Sequence, residues 1–176
     1  MRLNFFARPT LKVAPELLGM RLAVGDKSGI ITEVEAYIGE EDEACHARFG
    51  RTGRSQTLYT KPGTVYVYLC YGTHWMLNIV TEKEHFPAAI LIRGIAIFDP
   101  ILKSYFLNPK SRLSGPGRVT KFLGIDKTMN GQIVNGGDIS IGRGIPVDPA
   151  DIKKGPRVGI SYAGEPWLSH PWRFWI

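Results

Sequence analysis

The sequence lacks the features of several protein classes. Among its 176 residues there are only two cysteines, Cys45 and Cys70, too few for a disulfide framework, which favours a reduced intracellular setting. No apolar run reaches the ~20 residues that a membrane-spanning helix needs, and the first ten residues do not have the pattern of a secretory signal. Because no repeat or low-complexity linker divides the chain, we expect residues 1–176 to form a single domain with no membrane partner.

The charge of the chain is strongly basic. Its formal net charge is +6 and its isoelectric point is about 9.4, which favours polyanionic partners such as nucleic acid and carries no information about fold. Hydrophobic residues make up 44% of the sequence, enough to bury a substantial core.

The local patterns predict a mixed α/β (α+β) fold with a predominantly antiparallel, curved sheet. Strands are predicted at residues 20–24, 29–37, 64–71, 74–80 and 88–97, and shorter strands near residues 139–141, 158–162 and 172–175. Short helices are predicted at residues 14–19, with Pro15 near the first turn, and after residues 114–117, closed by Gly124. Residues 64–80 are expected to form a protruding β-hairpin, since Gly72 and Thr73 join two of the strands.

An acidic patch occurs in this basic protein at Glu33, Glu35 and residues 40–43, followed by His46. Strand alternation places Glu33 and Glu35 on the same face. Residues 41–43 suit the solvated first turn of a helix, where acidic side chains complement the helix dipole. A metal site built from these carboxylates and His46 is the alternative, because hard cations take oxygen ligands.

A tyrosine-rich strand precedes the predicted hairpin turn. Alternation places Tyr66, Tyr68 and Cys70 on one face, with Tyr71 at the turn itself. Such tyrosines commonly pack in a core or as cross-strand pairs. In a basic protein, a tyrosine at a hairpin tip is also suited to wedge into a base stack, and tyrosines behind it are suited to stack on an extruded base.

Arg93 interrupts an apolar run at residues 90–95, where a buried arginine needs a partner. It either reaches solvent at a strand edge or pairs with a buried carboxylate, for which Glu35 is a good candidate. Further basic residues that could meet phosphates are Arg48, Arg51, Arg54, Lys61, Lys103, Lys110, Arg112, Arg118 and Lys121.

Several of these segments, taken in order, resemble the alkyladenine (3-methyladenine) DNA glycosylase family. The motifs are EVEAY at 33–37, EDEACHAR at 41–48, KPGTVYVY at 61–68, YG at 71–72, LNI at 77–79 and LIR at 91–93. Residues 5–19, 114–116, 157–159 and 173–174 also match the pattern of that family, so the resemblance covers nearly the whole chain.

The resemblance implies a monofunctional DNA N-glycosylase. Its substrate would be double-stranded DNA containing damaged purines of the 3-methyladenine, 7-methylguanine, hypoxanthine and ethenoadenine class. The enzyme would flip such a base out, hydrolyse the N-glycosidic bond with an activated water and leave an abasic site. It would act as a monomer without metal or cofactor, in the cytoplasm or nucleoid of a bacterium or in a eukaryotic nucleus.

The resemblance also implies roles for individual residues. Glu35 would be the general base, with Arg93 and the main-chain carbonyl of Val158 helping to hold the water. The base pocket would comprise Tyr37, His46, Tyr68 and Asn78, with Asn78 crowding the 2-amino group of guanine. Tyr71 would intercalate, and Arg48, Arg51, Lys61, Arg118 and Lys121 would contact the DNA backbone. The alternatives are a lesion-binding module without chemistry, which would not use the Glu35–Arg93 pair, and a metal-dependent hydrolase built on the acidic patch.

Overall fold

A computed structural model describes residues 3–97 and 111–176. Within these ranges the helices are α1 (Thr10–Leu17) and α2 (Pro116–Leu123), and neither is long and apolar enough to cross a membrane. The strands there are β1 (Arg21–Val24), β2 (Lys27–Ile38), β3 (Val65–Cys70), β4 (His74–Val80), β5 (Ala88–Ala96), β6 (Arg112–Ser114), β7 (Ile139–Gly142), β8 (Lys153–Gly155) and β9 (Arg173–Trp175). Short 3-10 helices occupy Leu3–Phe5, His46–Phe49, Gln56–Tyr59, Lys127–Met129 and Pro149–Asp151.

The nine strands of the described ranges form one antiparallel sheet, which confirms the predicted mixed α/β class. Its main path runs β3-β4-β5-β2-β1-β7, with β6 paired to β5 and with β9 paired to both β2 and β8. The long strand β2 lies at the centre, because it pairs with β5 along one edge and with β1 and then β9 along the other.

Strand alternation separates the two faces of this sheet. One face packs with α1 and α2 into the main hydrophobic core, whose large buried side chains include Phe6, Leu17, Leu22, Ile31, Leu77, Ile79, Ile90, Ile92, Val119 and Leu123. The intervening residues of the same strands face a second layer, formed by the loop between β2 and β3, where Cys45, Leu58 and Tyr59 are buried against Tyr66 and Ala89. The polar and aromatic side chains of the strands therefore line a cavity on the face away from the main core.

Two compensating irregularities interrupt the pairing of β2 with β5. The register shifts between Ile31 and Glu33 and shifts again between Glu33 and Val34, so Thr32 and then Arg93 lack a directly opposite partner. Glu33 lies opposite Gly94, where an added Cβ would come within 3.0 Å of the Glu33 Cβ. The glycine thus allows the close approach of the strands, and the bulge directs Arg93 toward the carboxylates of β2.

The first helix begins earlier than its local sequence predicts. Helix α1 starts at Thr10, so Pro15 lies near its end and not in its first turn. The Glu82 carboxylate accepts hydrogen bonds from the Thr10 backbone N–H at 2.6 Å and from its hydroxyl at 2.9 Å. This contact across 72 residues caps the helix start, and no local signal reports it.

Two predictions for the loops are wrong. Residues 158–162 form turns and not a strand, since Gly159 has a φ of +78° and the Val158 N–H bonds a side chain. Residues 41–43 do not begin a helix. Asp42 is instead fully buried and accepts hydrogen bonds from the backbone N–H groups of Ile38 and Ala44, which fold the loop around it.

Candidate active site

Glu35 lies on β2 with no exposed surface. Its Oε1 atom accepts a hydrogen bond of 2.7 Å from the Val158 backbone N–H and lies 3.3 Å from Nε of Arg93. Its Oε2 atom accepts a bond of 2.8 Å from the Tyr37 hydroxyl. Burial raises the pKa of the Glu35 carboxyl, although Arg93, the Val158 N–H and the Tyr37 hydroxyl each favour its charged form.

Arg93 joins two carboxylates, as expected for an arginine in an apolar run. Its Nε atom lies 3.1 Å from Oε1 of Glu33, slightly closer than Glu35, and Arg173 approaches the same Glu33 oxygen at 3.5 Å. Glu33 and Glu35 do share one face of β2, as alternation predicted. The charge of Arg93 is therefore balanced within the protein.

A cavity of about 450 Å³ opens on the face of the sheet that carries Tyr37 and Tyr68, and its lining includes Pro116 at the start of α2. Its lining includes Tyr37, His46, Tyr68, Asn78, Arg93 and Val158, so the structure brings together these predicted site residues. The Tyr37 hydroxyl that reaches Glu35 connects the cavity wall to the buried carboxylate. Burial and then the Glu35 charge raise the pKa of Tyr37, which keeps this hydroxyl protonated and able to donate.

His46 stands against the tyrosines of β3. The His46 and Tyr68 ring centroids are 4.4 Å apart in an edge-on arrangement, and Nδ1 of His46 lies 2.8 Å from the Tyr66 hydroxyl. Burial and then the positive charges of Arg54 and Arg48 lower the pKa of His46 to about 4. The imidazole is therefore neutral at physiological pH.

Asn78 on β4 is buried in the floor of the cavity. Its Nδ2 atom donates to the carbonyl oxygens of Tyr66 at 3.2 Å and Met76 at 3.4 Å. These bonds fix the amide group, so the side chain presents a rigid wall to whatever enters the cavity.

Tyr71 occupies the tip of the β3–β4 hairpin at the cavity mouth. Its side chain is 91% exposed, and its φ of +50° is unusual for a residue other than glycine. The strained backbone projects the ring away from the sheet, as predicted for the hairpin tip.

The five residues that the resemblance assigns to the DNA backbone are all exposed, namely Arg48, Arg51, Lys61, Arg118 and Lys121. Arg48 lies over the rings of Phe49 and Tyr162, and Tyr162 lines the cavity. Lys61 precedes the first residue of β3, at the other end of that strand from Tyr71. Arg51 lies over the Tyr59 ring, and Arg118 and Lys121 are on α2. Lys103 and Lys110 lie outside the described residues.

The acidic patch does not assemble into a single site. The Glu40 carboxylate accepts from the Tyr59 hydroxyl at 2.6 Å, Glu43 accepts from the Gly164 N–H, and Asp42 pairs with Arg157. No group of three or more metal-ligating side chains clusters within residues 3–97 and 111–176. The structure therefore does not bring the carboxylates of residues 40–43 together with His46, the arrangement on which the metal-site alternative depended.

Sequence reasoning missed the buried Asp42–Arg157 pair. Two bonds of 2.6 and 2.8 Å join the guanidinium to the carboxylate, and both side chains are completely buried. Arg157 also lies 4.8 Å from the centroid of the Tyr37 ring and directly precedes Val158, so it supports both contacts of Glu35. In the sequence, Arg157 stood out only because it lies in segment 157–159, which matches the family pattern.

The residues of the cavity wall that were not assigned to the pocket include Arg54 and Tyr162. Arg54 comes from a loop without regular structure, and Tyr162 lies in the segment wrongly predicted as a strand. Tyr66 was placed correctly on the face of Tyr68, and alternation alone was sufficient to find it.

Comparison with known proteins identifies the class of enzyme. Residues 4–176 match the family model described as methylpurine-DNA glycosylase (MPG). Similar proteins named after 3-methyladenine DNA glycosylase occur in Wolbachia pipientis wMel, 45% identical over 97% of this chain and 88% of that protein, and in Myxococcus xanthus, 40% identical over 98% and 88%. A relative of that name in Methanocella arvoryzae is 41% identical over 98% of this chain and 90% of its own.

The chain belongs to the methylpurine-DNA glycosylase family. The predicted family and the predicted enzyme class, a DNA glycosylase, are both confirmed.

Proposed function

We propose that the protein removes alkylated or deaminated purines from double-stranded DNA by flipping each base into the aromatic cavity and hydrolysing its N-glycosidic bond. An abasic site remains, and the strand is not cut. The observation that carries this proposal is the buried Glu35 carboxylate, held by the Val158 amide, the Tyr37 hydroxyl and Arg93 directly behind the cavity wall.

The cavity suits a flat, electron-poor ring. Tyr37, His46 and Tyr68 offer aromatic surfaces, and stacking contributes roughly 1–3 kcal/mol per base and favours alkylated rings. Asn78, whose amide is held by two main-chain carbonyls, would crowd the 2-amino group of normal guanine. Flipping costs least for damaged or mispaired bases, which adds to the selectivity.

The proposed reaction uses Glu35 as general base. Breaking an N-glycosidic bond gives the sugar oxocarbenium character, which a nearby carboxylate stabilises while it takes a proton from the attacking water. A raised pKa suits this role, since a base is most effective when its pKa approaches the working pH. Arg93 would orient the water together with the Val158 carbonyl, whose adjacent N–H already bonds Glu35.

The DNA would bind the face of the protein on which the cavity opens. Tyr71 would fill the gap left by the flipped nucleotide, and basic residues such as Arg48 and Arg118 would meet phosphates. Since every proposed catalytic group comes from this chain, we expect a monomer working inside the cell, where genomic DNA resides. The steps as proposed need no metal ion or cofactor.

A base-release assay tests the proposal. A duplex carrying one hypoxanthine, ethenoadenine or methylated purine is incubated with the protein in EDTA and then treated with alkali, which cleaves at abasic sites. We expect lesion-dependent cleavage. No cleavage above background with any of several such purines would overturn the proposed substrate class, and activity lost in EDTA and restored by Mg²⁺ or Zn²⁺ would favour the metal-dependent alternative.

The decline of the rate at low pH should reflect protonation of the Glu35 carboxylate. A group with a raised pKa loses its charge earlier as the pH falls, so the single-turnover rate should decline at a pH above the ordinary range of glutamate. His46, with a pKa of about 4, stays neutral over that range and contributes no limb there. A rate that stays constant down to the ordinary glutamate range would contradict the assignment.

Replacing Tyr71 should impair flipping without affecting folding. In Tyr71→Ala, we expect base release to slow by about 10-fold or more, since unstacking a base step costs a few kcal/mol that the wedge offsets. Thermal stability should not fall, because the side chain is 91% exposed. Tyr71→Phe is the matched control and should retain most activity, and equal rates for the Ala variant and the wild type would exclude the wedge.

A further inference from the structure

Glu33 is a second carboxylate beside the proposed site, and it takes no part in the proposed steps. It lies two residues before Glu35 on the same face of β2, with 14% of its side chain exposed. Nε of Arg93 donates to its Oε1 atom at 3.1 Å, and Nη1 of Arg173 lies 3.5 Å from the same oxygen. The Ser114 hydroxyl donates to its Oε2 atom at 3.4 Å. Glu33 is therefore held between two arginines that come from different strands.

Glu35 has the same two arginines as neighbours. Its Oε1 atom lies 3.3 Å from Nε of Arg93, and Arg173 is directly opposite Glu35 in the pairing of β9 with β2. Within residues 3–97 and 111–176, neither arginine has a further Asp or Glu at ion-pair distance besides Glu33 and Glu35. Two carboxylates and two guanidinium groups therefore form one cluster in which the charges balance.

The surroundings of Glu35 have opposing effects on its basicity. Burial raises its pKa most, whereas the Arg93 charge, the Val158 N–H and the Tyr37 hydroxyl lower it. The negative charge of Glu33 raises it. Without that charge, Glu35 would be the only carboxylate available to the largely buried Arg93, which needs an anionic partner. A closer arginine would stabilise the charged carboxylate and make Glu35 a weaker base.

We propose that Glu33 is a positioning residue that engages Arg93 and Arg173 and thereby keeps Glu35 basic enough to activate water. The assignment rests on the proposed glycosylase function and adds a second carboxylate to it. Arg93 lines the cavity, whereas Glu33 is not among the lining side chains of the described chain. Glu33 therefore acts through the arginines and does not touch the substrate.

Three variants change the charge of the cluster in different directions. Glu33→Gln leaves one carboxylate with two arginines, so the pKa of Glu35 should fall by about one unit. Arg173→Gln leaves two carboxylates with one arginine, so the same pKa should rise by a similar amount. The double variant restores the balance and should return the pKa toward the wild-type value. A carbon-13 NMR titration of the carboxyl groups in the free protein measures these shifts without requiring any catalytic activity.

The rate of base release should follow the pKa of Glu35. Single-turnover release of 7-methylguanine with saturating enzyme suits the measurement, because this cationic base leaves as a neutral molecule and needs no proton from the protein. In Glu33→Gln, the decline at low pH should move to lower pH by about one unit, and the plateau rate should fall about two- to fivefold. Both should recover in the double variant. Glu84→Gln removes an exposed carboxylate outside the cavity and should change neither quantity.

Three results would overturn part or all of this account. A pKa of Glu35 that is the same in Glu33→Gln and in the wild type would show that Glu33 does not set its basicity. A slower rate with an unshifted pH profile, which the Arg173 change does not repair, would make Glu33 a structural residue only. If the pKa shifts as expected but the wild type releases no damaged purine, the charge balance stands and the proposed glycosylase function fails.

Discussion

Glu35→Gln is expected to abolish base release while the variant still binds the lesion duplex. General-base catalysis contributes about 10²–10⁴-fold, and the neutral amide can neither take the proton nor stabilise an oxocarbenium-like sugar. The cavity walls and Tyr71 are unchanged by the substitution, so we expect the dissociation constant for a lesion duplex to stay within about threefold of wild type. Single-turnover kinetics and a binding titration on the same duplex measure the two quantities separately.

The variant should fold at least as well as the wild type. The pKa of Glu35 is raised in the folded state, so its ionisation opposes folding: the contribution to stability is fully present below the unfolded pKa and is lost as pH rises through the folded pKa. Glutamine removes this cost at neutral pH and keeps an oxygen to accept from the Val158 N–H. The midpoint of thermal unfolding should therefore not decrease.

Glu84→Gln is the matched control, because it makes the same chemical change at an exposed position outside the cavity. It should leave rate, affinity and stability unchanged. Base release by Glu35→Gln at the wild-type rate would show that another group activates the water, and loss of both release and folding would leave Glu35 a structural role only.

Asp42→Asn should destabilise the protein strongly. The substitution leaves the fully buried Arg157 guanidinium without its counter-charge, and breaking a buried pair by removing one partner costs about 3–5 kcal/mol. It also disturbs the bonds from Ile38 and Ala44 that fold the loop under the cavity. The free energy of unfolding from urea denaturation measures the loss.

An exposed ion pair provides the comparison. Glu16→Gln breaks a 2.7 Å pair with Arg8 at the surface, and such pairs contribute at most about 1 kcal/mol. We therefore expect Asp42→Asn to lower the unfolding free energy several times more than Glu16→Gln. Similar small losses in both variants would mean that water reaches Arg157 and that the pair does not organise the loop.

The strand residues of the site could be predicted because successive side chains of a strand point to opposite faces of the sheet. Period-two alternation placed Glu33 and Glu35 on one face and grouped Tyr66 with Tyr68, and an arginine inside an apolar run required a carboxylate partner. The hairpin tip followed from the same pattern, with Tyr71 at the turn between two strong strands.

The environments of Asp42, Arg54 and residues 158–162 could not be predicted from the local sequence, because long-range partners decide them. Asp42 looked like a solvated helix residue, since its buried partner lies 115 positions further along the chain. Residues 158–162 had the composition of a strand, yet Gly159 turns the chain and the Val158 N–H bonds Glu35. Arg54 reaches the cavity from a loop whose course no periodic pattern reports.

The bulge in β2 and the bulge in β5 compensate each other. The unpaired Thr32 displaces the pairing by one residue, and the unpaired Arg93 restores it, so Ile31 and Ile95 on one side and Val34 and Ile92 on the other keep the same register. Either bulge alone would move the remaining side chains of one strand to the opposite face of the sheet, exchanging core and cavity residues. The two extra residues can therefore be inserted or deleted only together if the core and cavity residues are to keep their faces.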